Sequence, residues 1–211
     1  GCSKDTPETS QTAKAEAQAA PVTDPVPLVD EKLITDPIVE EAIRESLEKP
    51  EGEITESDLE KVTKLNLSGN LLRELPKELE KLTQLTHLSL NTNLLRELPK
   101  ELTQLTHLSL SDNLLRELPK GLENLTQLKE LSLGSNKLTS VKQLEKLTQL
   151  KVLHLDYNQL TDMPKGLENL TQLIALGLVG NQLTSVDGLE KLTKLEALHL
   201  GGDQLPELRK E

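Results

Sequence analysis

Residues 82–90 read LTQLTHLSL, and residues 102–110 read LTQLTHLSL again. The nonamer ends on an L-x-L step, Leu88 and Leu90, and an Asn follows at position 93. The same L-x-L-x-x-N phrase recurs along the chain as Leu65/Leu67/Asn70, Leu108/Leu110/Asn113, Leu131/Leu133/Asn136, Leu153/Leu155/Asn158 and Leu176/Leu178/Asn181. A seventh copy, Leu198/Leu200, carries Asp203 in the Asn position. The spacings between first leucines are 23, 20, 23, 22, 23 and 22 residues. Leucines two apart in a strand share one face. A unit this short cannot bury that face alone, so a fixed period of this length implies stacking of neighbours around one continuous core. The expected fold class is α/β: a solenoid of about seven coils with a curved parallel sheet.

The side chains between the strands fit that scheme. Leu72, Leu75, Leu79, Leu82 and Leu85 fill the rest of one coil, and counterparts recur later. The Asn is expected to turn inward, where its amide satisfies backbone groups that the turning chain leaves unpaired. One coil is short: where its neighbour reads ELEKLTQLTHL, the stretch before Leu108 reads ELTQLTHL. The missing residues include one apolar position, expected to be the counterpart of Leu82 or Leu125, and the loss is expected on the convex side.

Composition narrows the function. There is no Phe and no Trp, and Tyr157 is the single Tyr, so the core is built from one repeated aliphatic part. The formal net charge is −11. Residues 1–60 hold 5 basic and 16 acidic side chains, which leaves 19 of each in residues 61–211. A neutral array offers no long-range field to phosphates, and nucleic acid is set aside as a partner. Cys2 is the only cysteine, so no intrachain disulfide forms, and no apolar run reaches the roughly 18 residues of a spanning helix.

Three zones follow. Residues 1–33 lack periodicity and read as a disordered acidic tether. Residues 34–60 read as a helical cap: Asp36-Pro37 starts a helix, and Ile38, Val39, Ala42, Ile43 and Leu47 form its apolar stripe. Thr55-Glu56-Ser57-Asp58 then opens a second short helix. Residues 61–211 are the repeat array, which ends abruptly at Leu208 without a clear C-terminal cap.

The repeats of residues 61–208 resemble the bacterial leucine-rich-repeat class. Coils with Leu75-Pro76, Leu98-Pro99, Leu118-Pro119 and Met163-Pro164 stand beside Pro-free coils, Thr139-Ser140-Val141 and Thr184-Ser185-Val186, that look like those of internalins. Thr35-Asp36-Pro37 through Asp58-Leu59-Glu60 resembles the helical cap that precedes such repeats. The resemblance implies a leucine-rich-repeat solenoid that binds a partner, and it does not identify the ligand. Gly1-Cys2-Ser3 resembles the cleavage point of a bacterial lipoprotein, which implies lipidation at Cys2 and a place in the cell envelope. In that family Ser3 after the Cys suggests the outer membrane.

Chemistry-bearing residues are few. His87 and His107 share a column on neighbouring strands and are weak metal candidates, short of the three or four ligands that zinc takes. Arg73-Glu74, Arg96-Glu97 and Arg116-Glu117 repeat as solvated charge columns. No nucleophile elbow, phosphate loop or Cys/His cluster is present, and no cofactor or enzymatic activity is expected. The expected binding surface is the C-terminal half of the concave face. There Val152, His154 and Asp156, then Val179, then His199 form a shallow floor with Tyr157 at its edge. The reading is a monomeric, lipid-anchored envelope protein that binds a protein partner. Alternatives are a cytosolic adaptor that scaffolds a signalling enzyme and the repeat domain of a truncated effector.

Overall fold

The computed structural model describes residues 32–99 and 101–202. Helix α1 (Pro37–Ser46) begins where the Asp36 carboxylate accepts the amides of Ile38 and Val39 at 2.9 and 3.0 Å. Pro37, first in the helix, has no amide to leave unpaired. Val39, Ala42 and Ile43 form its buried stripe. Helix α2 (Glu56–Leu59) opens on a reciprocal capping box between Thr55 and Asp58. Lys49 pairs with Asp58 at 2.7 Å and, with the Thr55 bonds, holds that carboxyl well below the usual range.

The cap is tied to the first coil by polar contacts. Thr35 donates its hydroxyl to Glu78 Oε1 at 2.6 Å, and Lys81 donates to the Leu33 carbonyl at 2.6 Å. The Thr35 hydrogen bond is the main cause that lowers the Glu78 pKa. Lys32 also pairs with Glu40 on α1. Residues 1–31, which hold Cys2 and nearly all of the expected tether, lie outside the described residues.

Seven three-residue strands follow among the described residues: β1 (Lys64–Asn66), β2 (His87–Ser89), β3 (His107–Ser109), β4 (Glu130–Ser132), β5 (Val152–His154), β6 (Ala175–Gly177) and β7 (Ala197–His199). They pair in parallel, in chain order, as one sheet. The register sets Leu65, Leu88, Leu108, Leu131, Leu153 and Leu176 in one column under the sheet. The second leucines, Leu67 through Leu178, form a column that is fully buried. Each such side chain contributes about 1.5–3 kcal/mol by burial. Leu198, on the last strand, is 38% exposed because no described coil covers it.

The inward Asn column joins the coils. Asn136 Nδ2 donates to Leu133 O in its own coil at 3.0 Å and to Leu110 O in the preceding coil at 3.0 Å. Its Oδ1 accepts the amides of Asn113 and Leu115 at 3.0 and 2.9 Å. Asn93, Asn158 and Asn181 repeat the two-coil bridge. Asn70 departs from the expectation: it is exposed and bonds only to the nearby Ser68 carbonyl at 3.2 Å. Its coil is the first, so no preceding L-x-L carbonyl stands where the others find one.

Among its described residues the short coil, 87–106, has no 3-10 helix like those of the other coils at Lys77–Lys81, Leu122–Asn124, Lys142–Lys146, Leu167–Asn169 and Leu189–Lys191. The loss falls on the expected side but removes a different leucine. Leu105 N bonds Leu102 O at 3.1 Å as Leu85 N bonds Leu82 O at 3.1 Å, so Leu102 stands in the Leu82 place and the Leu79 counterpart is gone. The tight turn that feeds the strand is kept; the 3-10 turn before it is dispensable. In compensation Leu98 N bonds Lys120 O at 2.9 Å, an extra parallel bridge to the next coil.

The joint has a cost on its sheet side. Other Asn Oδ1 atoms accept the amide of Leu72, Leu115, Leu138 or Leu160. The equivalent donor for Asn113 is Leu95, and Asn113 Oδ1 is buried without a partner. Asn113 is therefore bonded only through its Nδ2 and backbone. Asn136→Ala is expected to lower stability by about 1–3 kcal/mol, because it leaves carbonyls and amides buried unpaired. Asn113→Ala should cost less, and exposed Asn70→Ala and Asn124→Ala within about 0.5 kcal/mol. Urea denaturation of the four variants checks this, and equal losses would contradict it.

Candidate functional site

The outward strand positions make two columns on the concave face. The first runs Lys64, His87, His107, Glu130, Val152, Ala175, Ala197; the second runs Asn66, Ser89, Ser109, Ser132, His154, Gly177, His199. A hollow of about 710 Å³ lies over β1–β4, lined at one end by Ala42, Glu45 and Ser46 of α1. It lies at the opposite end of the face from the surface expected from the sequence.

Within the hollow the imidazoles of His87 and His107 stack, with centroids 4.0 Å apart and planes 8° apart. Parallel strands in register set the rings one above the other. Each Nδ1 meets the hydroxyl of the preceding threonine, at 2.9 Å for Thr86 and 2.8 Å for Thr106. Each hydroxyl also reaches a carbonyl of the preceding coil, Thr63 O at 3.1 Å and Thr86 O at 3.2 Å. The rings lie face to face, so their nitrogens do not converge on one point. No described group of three His, Cys, Asp or Glu side chains is placed to hold a metal ion. His107 Nε2 lies 3.4 Å from Glu130 Oε1. Burial, then the neighbouring His107 and Lys64, push the His87 pKa down, against a smaller pull from Glu130.

The other end is built around Asp156. Its Oδ1 accepts the Val179 amide at 3.0 Å, and its Oδ2 lies 3.6 Å from His154 Nδ1. The carboxylate sits over Gly177, where any Cβ would stand 2.3 Å from Oδ2. The residue before each inward Asn takes a left-handed turn: φ is 55° at Thr92, 58° at Asp112, 52° at Ser135 and 55° at Tyr157. That conformation costs roughly 1–2 kcal/mol for a residue with a Cβ. It turns the Tyr157 side chain outward, 63% exposed. The Tyr157 amide donates to Val179 O at 2.6 Å. Its ring lies over Gly180, where a Cβ would come within 2.5 Å of Cδ1.

The structure thus brings His154, Asp156, Tyr157 and Val179 together. Val152 lies in the same strand as His154, and His199 stands beyond Gly177 in the column. Gly177 is buried under the Asp156 carboxylate, and the Val179 amide and carbonyl are bonded to Asp156 and Tyr157. The sequence reading missed Glu130, which repeat alignment places in the His87/His107 column, and the wall from Glu45 and Ser46, which no repeat encodes.

A family model described as a leucine-rich repeat region matches residues 53–162, more than half of the chain. The chain belongs to the leucine-rich-repeat family. A second leucine-rich-repeat model matches residues 148–205. Among solved structures, the repeat array is similar to internalin C2 of Listeria monocytogenes, with a TM-score of 0.66, 22% identity, and coverage of 82% of this chain and 87% of that one. Internalin F of the same organism gives a TM-score of 0.53 and 21% identity, covering 82% and 71%. At such identities the likeness is one of fold. No curated protein matches the chain in sequence.

The lowered His87 pKa has a sign. Above about pH 6.5 the imidazole is neutral in folded and unfolded chains alike. As pH falls through that value the unfolded chain takes up the proton first, so folding stability is lost. The urea midpoint is expected to fall more steeply between pH 7.5 and 5.5 in the native chain than in His87→Gln. Identical slopes would contradict the assignment.

Proposed function

We propose that the chain is a non-enzymatic protein-binding module that docks a protein partner on its concave sheet, over Val152, His154, Asp156, Tyr157, Val179 and His199. The observation that carries this reading is Tyr157. The protein's one Tyr, with no Phe or Trp in the chain, is held in a strained turn, 63% exposed, beside a fixed carboxylate. Rigid tyrosines bury a large area at little entropic cost, and they are enriched among the residues that dominate binding energy.

The Gly1-Cys2-Ser3 resemblance supports a lipid anchor at Cys2 and a place in the bacterial envelope. Partition into detergent that is lost in Cys2→Ala supports the anchor; unchanged partition removes it. The binding reading is tested against the partner captured by the whole chain. Tyr157→Ala with Val179→Ser should weaken binding at least about tenfold, or 1.4 kcal/mol, while Ser89→Ala with Ser109→Ala leaves it nearly unchanged. The opposite ranking would move the site to the hollow beside α1.

A further inference from the structure

The joint between the coils of β2 and β3 departs from its neighbours on the flank where the chain leaves the sheet. Elsewhere along the described flank the residue after the inward Asn donates its amide to the coil before. Leu94 bonds Leu72 O at 2.7 Å, Lys137 bonds Leu115 O at 2.7 Å, and Gln159 and Gln182 bond Leu138 O and Leu160 O at 2.9 Å each. The Asn of the same joints accepts the amide of Leu72, Leu115, Leu138 or Leu160. At Asn113 neither bond forms: Leu114 makes none to Leu95 O, and Asn113 Oδ1 is buried without a partner. Leu114 instead turns left-handed, with φ 57°, and stands 56% exposed. Among the described residues the other left-handed leucine is Leu71, with φ 54°, in the coil of β1, which has no strand before it. The coil of β3 thus begins as though it opened a new stack.

The side away from the sheet is thinned at the same place. The 3-10 turns Lys77–Lys81 and Leu122–Asn124 belong to the coils of β1 and β3, and the described part of the coil between them has none. The sheet side, by contrast, is fully bonded. His107 N donates to Thr86 O at 3.0 Å, Leu90 N to Ser109 O at 2.8 Å and Thr92 N to Ser111 O at 2.9 Å. Ser109 donates to Asn91 Oδ1 at 2.6 Å, and the stacked rings of His87 and His107 cross the joint. Past the gap, Leu98 N bonds Lys120 O at 2.9 Å and Lys120 N bonds Arg96 O at 3.3 Å. A stack that is bonded along one side and under-bonded on the other bends about the bonded side. In a repeat array each coil is held only by its neighbours, so one weak interface concentrates the motion.

We propose that the solenoid hinges between the coils of β2 and β3, with the sheet as pivot. The cap and the coils of β1 and β2 then move as one body against the coils from β3 onward. The cap follows the first body because Ser46 is bonded to Lys64 O and Thr35 to Glu78. The hollow over β1–β4 spans the hinge, with Glu45 and Ser46 on one body and Glu130 and Ser132 on the other. Straightening at the joint widens the hollow, and bending narrows it. Tyr157 and its neighbours lie wholly on the second body, so this inference is independent of the binding surface proposed above.

The test is pulsed dipolar spectroscopy between nitroxide pairs in the full chain, with Cys2→Ser so that only introduced thiols carry the label. Glu74→Cys with Thr148→Cys spans the joint. Glu117→Cys with Thr193→Cys occupies the equivalent places two coils further on, wholly within the second body. All four side chains are exposed. The distance distribution of the spanning pair is expected to be at least about 1.5 times as wide as that of the second pair. Inserting Glu-Lys-Leu after Leu102 restores the text ELEKLTQLTHL of the coil before, and it should narrow the spanning pair to the width of the second. Equal widths for the two pairs in the native array overturn the hinge. A spanning pair that stays wide in a folded insertion variant overturns its assignment to this joint. If the insertion variant does not fold, the comparison of the two pairs decides alone.

Discussion

The coils of β2 to β6 are each joined to the one before by an Asn side-chain amide that donates to two carbonyls at once, and the rest of the structure depends on that joint. Asn93, Asn113, Asn136, Asn158 and Asn181 each straddle their own L-x-L step and the preceding one. The chain must turn away from the sheet at this point, where main-chain groups are buried and have no strand to pair with. A core made almost wholly of leucine fills space without fixing direction, so the amide specifies how one coil sits on the next. Stability is then a property of neighbours rather than of single coils.

The same turn shapes the proposed binding surface. The left-handed residue before the Asn lifts one side chain out of the stack at Thr92, Asp112, Ser135 and Tyr157. In most coils that residue is small or polar; in one it is Tyr157. Gly180 in the following coil leaves room for the ring, and Gly177 leaves room for the neighbouring carboxylate. The aromatic edge, the fixed acid and the paired imidazoles are thus by-products of a scaffold rule applied to unusual residues. The hollow beside α1 arises differently, from the end of the cap helix standing over β1, with Ser46 donating to the Lys64 carbonyl at 2.7 Å.

Much of the fold was legible because the leucine period encodes it: the strands, their parallel order, the inward Asn column and the cap helix with its Asp36 start. Asn70 was misread because its partner is a coil that precedes it, and the phrase L-x-L-x-x-N looks the same with or without one. The missing leucine of the short coil was assigned one position away, because ELTQL aligns equally well with either turn until hydrogen bonds distinguish them. The site was less legible. Duplicated text made His87 and His107 look like copies, yet the register turns the copies into a stacked pair with Glu130 beside it. Gly177 and Gly180 carry no signal of their own; only the approach of Asp156 and Tyr157 from the preceding coil gives them a role.

The central claim is that the Asn ladder holds the array together coil by coil, and that Asn113 keeps its two Nδ2 bonds but lacks the Oδ1 bond that the other four inward Asn side chains make. Native-state hydrogen exchange of the backbone amides tests this most directly. The amides of Leu72, Leu115, Leu138 and Leu160, bonded to Asn Oδ1, should be strongly protected, and that of Leu95, buried but without this bond, should exchange faster than all four. Protection of Leu95 equal to its four counterparts would contradict the account.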